Sequence, residues 1–371
     1  MICRAGLQRL PNWLGALGAI LVGAVPGCAQ ATSGGPAQAP FEGAAILYVC
    51  VQDEAEVAMI DMESHEVVGS VSLTELGFSP TSMPHDIAVE PDGSHWYVSV
   101  IGDNRVLRFD RQNRLVGQAP METPGMMSIQ PGTGRVAVSR SMSAVNPPTR
   151  LGLLEPDGMS MEEVDIFFPR PHGVVTDREG RYAYSASLGT NQVISLELDT
   201  EVVELVEVPG PTHAFVQLAI SPDGTTLVAS GELSGELVVF DLSEDRARPR
   251  YVRSIPVGQQ AFDPIFSPDG ASVWIPLKGA DAVAVVGTAN WAVETIIEGP
   301  GLLQPHAIAF SPDGQWAFVT NNNKDPHAMH HPGQADGGAG TVVIIDVAGR
   351  EVTSVLELGR NVTGLGTRPV R

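Results

Sequence analysis

Lysine is nearly missing from this chain: two residues stand against twenty arginines in a sequence of 371. The arginine excess reflects the base composition of a GC-rich gene more than chemistry. Acids outnumber bases, and the net charge of −21 leaves no basic surface of the kind that nucleic-acid phosphates require or that anionic lipid attracts. No nucleic-acid partner is expected. Cysteine is scarce as well. Of the three, Cys3 lies in a leader, Cys28 closes it, and only Cys50 remains in the folded part, so no intramolecular disulfide is available. Several catalytic signatures are also missing. There is no Gly-x-Ser-x-Gly elbow, no phosphate loop, no His-Glu-x-x-His and no Cys-x-x-Cys-His. No apolar run reaches the length of a spanning helix.

What the chain does have is a period. Ser-Pro-Asp-Gly occurs at Ser221, Ser267 and Ser311, with Glu-Pro-Asp-Gly at Glu90 and looser versions at Gln130–Gly134 and Asp177–Gly180. The closing glycines Gly93, Gly134, Gly180, Gly224, Gly270 and Gly314 are 41, 46, 44, 46 and 44 residues apart. Proline presets the second turn position, aspartate tolerates the third, and glycine takes the positive φ that closes a hairpin. Short β-rich runs repeating at this spacing indicate a propeller. Seven units begin near Ala45, Trp96, Arg135, Arg181, Thr225, Ala271 and Trp316. The final segment, Asn361–Gly366, resembles the strand before each turn but has no unit after it. It is therefore expected to complete the first unit and remove the free edge. The predicted fold is all-β: a seven-bladed propeller of four-stranded blades over residues 44–371.

The first 28 residues have a different character. Arg4 and Arg9 precede an apolar run from Trp13 to Val25 and then Val25-Pro26-Gly27-Cys28, the pattern of a secretion signal. Its ending resembles a bacterial lipobox, which implies lipidation at Cys28 and a small-residue tether over 29–43. The expected location is the outer membrane or periplasm of a bacterium, with the membrane touched only through the anchor. Ordinary cleavage nearby would instead release a soluble monomer.

Within the units, Phe318-Val319-Thr320-Asn321 followed by Val342–Asp346 and Val352–Leu356 resembles the YVTN-type propeller repeat of YncE-like secreted proteins. Tyr48-Val49 with Val57–Asp61, and Tyr97-Val98 with Val106–Asp110, repeat the pattern. The resemblance implies the propeller fold. It implies no single activity, because such repeats serve scaffolds and enzymes alike.

The histidines carry the functional signal. His85, His172 and His306 each follow a proline and precede a turn glycine by eight residues. This places them at the start of the innermost strand, near the axis, with Met126 and Phe262 in the same place in blades three and six. His213 lies slightly upstream of that position. The segment between Asn321 and Thr341 is a long insertion containing His327, Met329, His330 and His331. It emerges on the same face, while His65 and His95 fall on the other. Imidazoles suit copper, zinc, nickel or iron, and a thioether such as Met329 favours copper. The alternative for His85, His172 and His306 is packing between blades with bonds to backbone, and for the insertion a solvated polar loop. Cys50, flanked by Val49 and Val51, is expected to be a packed, inert thiol.

Two functions follow. One is a tethered scaffold that binds a small molecule, a protein or a metal (copper or zinc) on the histidine face. The other is a propeller enzyme, either a metal-dependent oxidoreductase or a lactonase-type hydrolase. The metal expectation predicts near-stoichiometric copper or zinc in untagged protein starting at Ala29, measured by mass spectrometry. The metal should be lost when His327, His330 and His331 are changed together to alanine. Metal-free protein after reconstitution would contradict it.

Overall fold

The computed structural model describes residues 43–143, 149–324 and 338–370. The leader with Cys28, nearly all of the tether, and His327, Met329, His330 and His331 lie outside the described residues. Within them the chain forms seven four-stranded antiparallel sheets, numbered here in chain order. Blade one joins β1–β3 (residues 46–72) to the last strand, β28 (Val362–Arg368). Blades two to seven are β4–β7 (84–120), β8–β11 (124–165), β12–β15 (171–207), β16–β19 (215–256), β20–β23 (265–297) and β24–β27 (305–357). In each, the strand before the tight turn is innermost, as the repeat predicted.

The turns show why the motif recurs. In the three Ser-Pro-Asp-Gly copies the serine hydroxyl donates to the aspartate two residues on, at 2.5–2.6 Å. It also accepts an amide from the start of the next strand, at 2.9–3.0 Å. The glycines Gly224, Gly270 and Gly314 sit at φ of 74, 71 and 72°, a conformation that carries little penalty only without a Cβ. Each turn therefore sets the register of its hairpin through side-chain bonds as well as backbone bonds.

Ring closure is antiparallel pairing of β1 (Ile46–Val51) with β28, from Ile46 opposite Arg368 to Val51 opposite Val362. The seam is locked by buried Arg368, whose guanidinium donates to the Tyr48 hydroxyl at 3.2 Å and to the Arg111 carbonyl at 3.1 Å. Neighbouring blades meet through aromatic contacts. Trp96 is stacked between Tyr48 at 4.5 Å and Phe109 at 4.2 Å. Trp274 meets Phe310 edge-on at 5.5 Å, and Trp316 meets His65 edge-on at 4.8 Å. Cys50 is a free, fully buried cysteine whose thiol burial holds well above its ordinary pKa, so it is inert as a nucleophile.

One alignment differs from expectation. Pro84 pairs with Val100 and Pro124 with Arg140, so the counterpart of His85 in blade three is Gly125, not Met126. The cause is the turn after it. Gly134 donates to a carbonyl four residues back, whereas Gly93 donates three residues back; the extra residue shifts any count made from the glycine.

Replacing Trp96 by alanine removes the side chain stacked between blades one and two. It should cost about 3–5 kcal/mol, measured by urea denaturation; a loss under about 1 kcal/mol would contradict this packing role.

Candidate active site beside the propeller axis

The strand order puts the start of every innermost strand, and the connection between the second and third strands of every blade, on one face. Each innermost strand on that face begins after a residue with positive φ. These are Met83, Thr123, Arg170, Ala214, Gln260, Gln304 and Asn361, between 41 and 59°. That left-handed step turns the chain from the rim toward the axis and delivers the residue two positions later to the centre. His85, His172 and His306 arrive this way, joined by Phe262 from blade six.

All three histidines are buried. The ring centroids of His85 and His172 are 6.3 Å apart, and those of His85 and His306 are 6.0 Å apart. His172 donates from Nδ1 to the Val216 carbonyl of the next blade at 2.6 Å. His85 Nδ1 lies 3.1 Å from the amide oxygen of Gln52. Two carboxyls that the histidine pattern did not reveal complete the cluster: Asp86, next to His85, and Asp263, next to Phe262, both buried. Asp86 accepts the Met127 amide at 2.7 Å. Asp263 lies 3.8 Å from His306 Nδ1, too far for a hydrogen bond.

Burial sets the charge state of this cluster. It lowers His85 to a pKa of about 3, helped by the positive potentials of His172, Lys278 and Lys324. It lowers His172 to about 4 against the opposing bond to Val216, and holds His306 well below its ordinary value. It raises Asp86 to about 7 in spite of the amide bonds from Met127 and Ile87, and raises Asp263 well above the carboxylate range, with Asp86 adding to the effect. Burial thus favours the uncharged forms of both His306 and Asp263. Among the described residues no group of three or more His, Cys, Asp or Glu is placed to hold a metal ion.

Beside the axis a cleft of about 940 Å³ opens between blades five, six and seven. Glu232 and Ser234 line it from blade five, Gln259 and Gln260 from the link to blade six, and Lys278, Gln304 and Lys324 from beyond. Both lysines of the chain stand here. Lys278 places its ammonium 4.4 Å from the centre of the Phe262 ring, and Phe262 lies 5.1 Å from the ring of His306, so cleft and axial cluster are in contact. Burial lowers Lys278 to about 8, with Glu232 opposing the shift and Lys324 reinforcing it. Burial also raises the Glu232 carboxyl, with Lys278 opposing. Lys324 lies 3.7 Å from Asp53. The cleft brings both ammonium groups together with two carboxyls, Glu232 and Asp281, among the side-chain amides of Gln259, Gln260, Gln304 and Asn323. Of the histidines expected on this face, the structure gathers His85, His172 and His306, while the insertion histidines fall outside the described residues. The scarcity of lysine was the available signal for the cleft, since a residue used only twice stands here both times.

His85 gives a pH signature. Its native pKa lies below the unfolded value of 6.5, so its contribution to stability is present above pH 6.5 and is lost as pH falls toward 3. His85→Gln should flatten the fall in stability between pH 6.5 and 4 by up to about 1.4 kcal/mol per pH unit, measured by urea denaturation at several pH values. Parallel curves for the two proteins would contradict a neutral His85.

The family profile described as lactonase, 7-bladed beta-propeller, matches residues 132–326, a span holding every residue that lines the cleft. A functionally unknown protein of Desulfotomaculum acetoxidans is similar at 12% identity and a TM-score of 0.69, covering 88% of this chain and 99% of that one. The periplasmic gluconolactonase of Pseudomonas aeruginosa is similar at 20% identity and a TM-score of 0.68, covering 88% and 99%. A candidate 6-phosphogluconolactonase of Bacteroides fragilis is similar at 13% identity and a TM-score of 0.65, covering 90% and 99%. No curated protein matches the chain.

Proposed function

Because the chain belongs to the seven-bladed β-propeller lactonase family, we propose that it is a hydrolase that opens the ring ester of a sugar lactone in the cleft holding Lys278 and Lys324. Family membership favours this alternative over the metal-binding scaffold also expected from the histidines. The observation that carries the reading is the meeting of the chain's only two lysines on one cleft beside the axis.

The chemistry fits that placement. Attack on a lactone carbonyl puts negative charge on the carbonyl oxygen, and ring opening leaves a carboxylate product. An ammonium withdrawn from water stabilises both more strongly than one in bulk solvent. The side-chain amides of Gln259, Gln260 and Gln304 can each donate and accept hydrogen bonds, as the hydroxyls of a sugar ring require. Glu232, with its carboxyl pKa raised by burial, suits proton exchange nearer neutral pH. With the export expected from the first 28 residues, the reaction would run outside the cytoplasm.

Lactone opening by the purified domain, followed by proton release after subtraction of the uncatalysed rate, tests the reading. A neutral aldonolactone and its phosphorylated counterpart should both be assayed, because a phosphate group would meet the two ammonium groups of this cleft and lower KM. Lys278→Ala should reduce kcat/KM by about 10²–10³-fold, the usual effect of losing one donor to the developing oxyanion. Wild-type activity should decline as pH rises through about 8, where Lys278 loses its proton. Activity unchanged in Lys278→Ala, still climbing past pH 9, would contradict the assignment.

A further inference from the structure

The wall of the cleft formed by blade five contains an arrangement that the lysines do not explain. Ser234 lines the cleft from the turn between β17 (Thr226–Gly231) and β18 (Glu236–Asp241). Its Oγ lies 3.0 Å from Nδ1 of His213, a fully buried histidine. The other ring nitrogen, Nε2, lies 3.2 Å from the Pro209 carbonyl. A carbonyl only accepts, so Nε2 carries the hydrogen, and Nδ1 is left with a lone pair directed at the serine hydroxyl. The Glu236 carboxylate stands 3.5 Å from the same Nδ1, and its Oε2 is buried without a hydrogen-bond partner.

The surroundings hold this geometry in place. The His213 ring stacks on Phe215 with centroids 4.8 Å apart, and its backbone amide donates to Asn191 at 2.9 Å. The serine turn is tied to the histidine segment by Leu233 donating to the His213 carbonyl at 2.9 Å and Glu232 donating to Ala214 at 3.1 Å. Two glycines make room. A Cβ at Gly231 would collide with Ser234 Oγ, and Gly210, at φ 120°, lets the chain pass against Nε2. In blade two the same two segments are joined by Ser82 and Asp103, so the position is a strut of the fold. Among the described residues, only blade five pairs a hydroxyl on the cleft with an imidazole whose tautomer is fixed at that strut.

We infer that Ser234 and His213 form a nucleophile–base pair, with the Pro209 carbonyl orienting the imidazole and Glu236 stabilising its cation. The inference rests on the lactone-hydrolase reading of the same cleft. In the first half-reaction the Ser234 hydroxyl proton passes to His213 Nδ1 as Oγ bonds to the lactone carbonyl carbon. The tetrahedral adduct collapses by breaking the ring C–O bond, and the ring oxygen takes the proton from Nδ1, leaving a hydroxyacyl ester on Ser234. In the second, water gives a proton to Nδ1 and its oxygen attacks the acyl carbon. Ser234 leaves and recovers the proton, and the hydroxy acid is released. The balance is one water consumed per ring opened, with no redox change. Glu236 faces Nδ1 at the moment that nitrogen becomes an N–H of an imidazolium, so its charge is most useful in the transition state.

The test is labelling of the full domain with a fluorophosphonate, mapped by peptide mass spectrometry, run beside the lactone assay on wild type, Ser234→Ala and Glu236→Gln. Thermal unfolding confirms that each variant is folded. The expected result is a single adduct on Ser234 and labelling about tenfold or more slower in Glu236→Gln. Ser234→Ala should show a kcat lowered at least 10³-fold with little change in KM. A mere strut would produce no label. Ser234 left unlabelled, or Ser234→Ala hydrolysing lactone within threefold of wild type, overturns the pair while leaving the lactone reading intact. A labelled Ser234 in a protein that opens no lactone supports the pair and overturns the lactone reading instead.

Discussion

A ring of blades exists only if its two ends meet, and here the meeting is the pairing of β28 with β1. Until the last strand of the chain reaches the first, blade one lacks its inner strand and the ring has an open edge. Closure also determines the axis. The innermost strands converge on it, and the three histidines that they carry at their leading ends are buried there. The buried Arg368 at the seam, bonded to Tyr48 and Arg111, therefore contributes to the functional face, although it lies far from it in sequence.

Closure has an electrostatic consequence. Three imidazoles and two carboxyls are buried together, and burial shifts each toward its uncharged form: the histidines are depressed, and Asp86 and Asp263 are raised. The charged groups stay one step outward, in the cleft, where Lys278 and Glu232 oppose each other's shifts. The axis thus holds groups shifted toward their uncharged forms, bordered by a cleft in which ammonium groups, carboxyls and amides face one another.

Much of the architecture could be read from the sequence because it is periodic. The Ser-Pro-Asp-Gly turns place their glycines at positive φ in copy after copy, so counting from them located every blade and the closing strand. Counting failed only where the turn itself changed length, which is why Gly125 rather than Met126 faces the axis. The proline-preceded histidines were visible for the same reason. Asp86 and Asp263 were not, since each is a single acid in a β-run among many acids, and only the fold brings them together. Lys278, Lys324 and Ser234 belong to three different connections between strands, whose approach depends on how blades pack and not on any local pattern. The rarity of lysine was a real signal, but composition alone could not say that both copies share one cleft.

The central claim is that ligand binds in the cleft beside the axis, between Lys278 and Lys324. The most direct measurement is a crystal structure of the domain with a lactam analogue of the sugar lactone, whose ring amide resists hydrolysis. The account predicts the analogue in that cleft, with its carbonyl oxygen within hydrogen-bond distance of the Lys278 ammonium. An analogue seated on the opposite face, or on the cleft rim with Lys278 untouched, would contradict it.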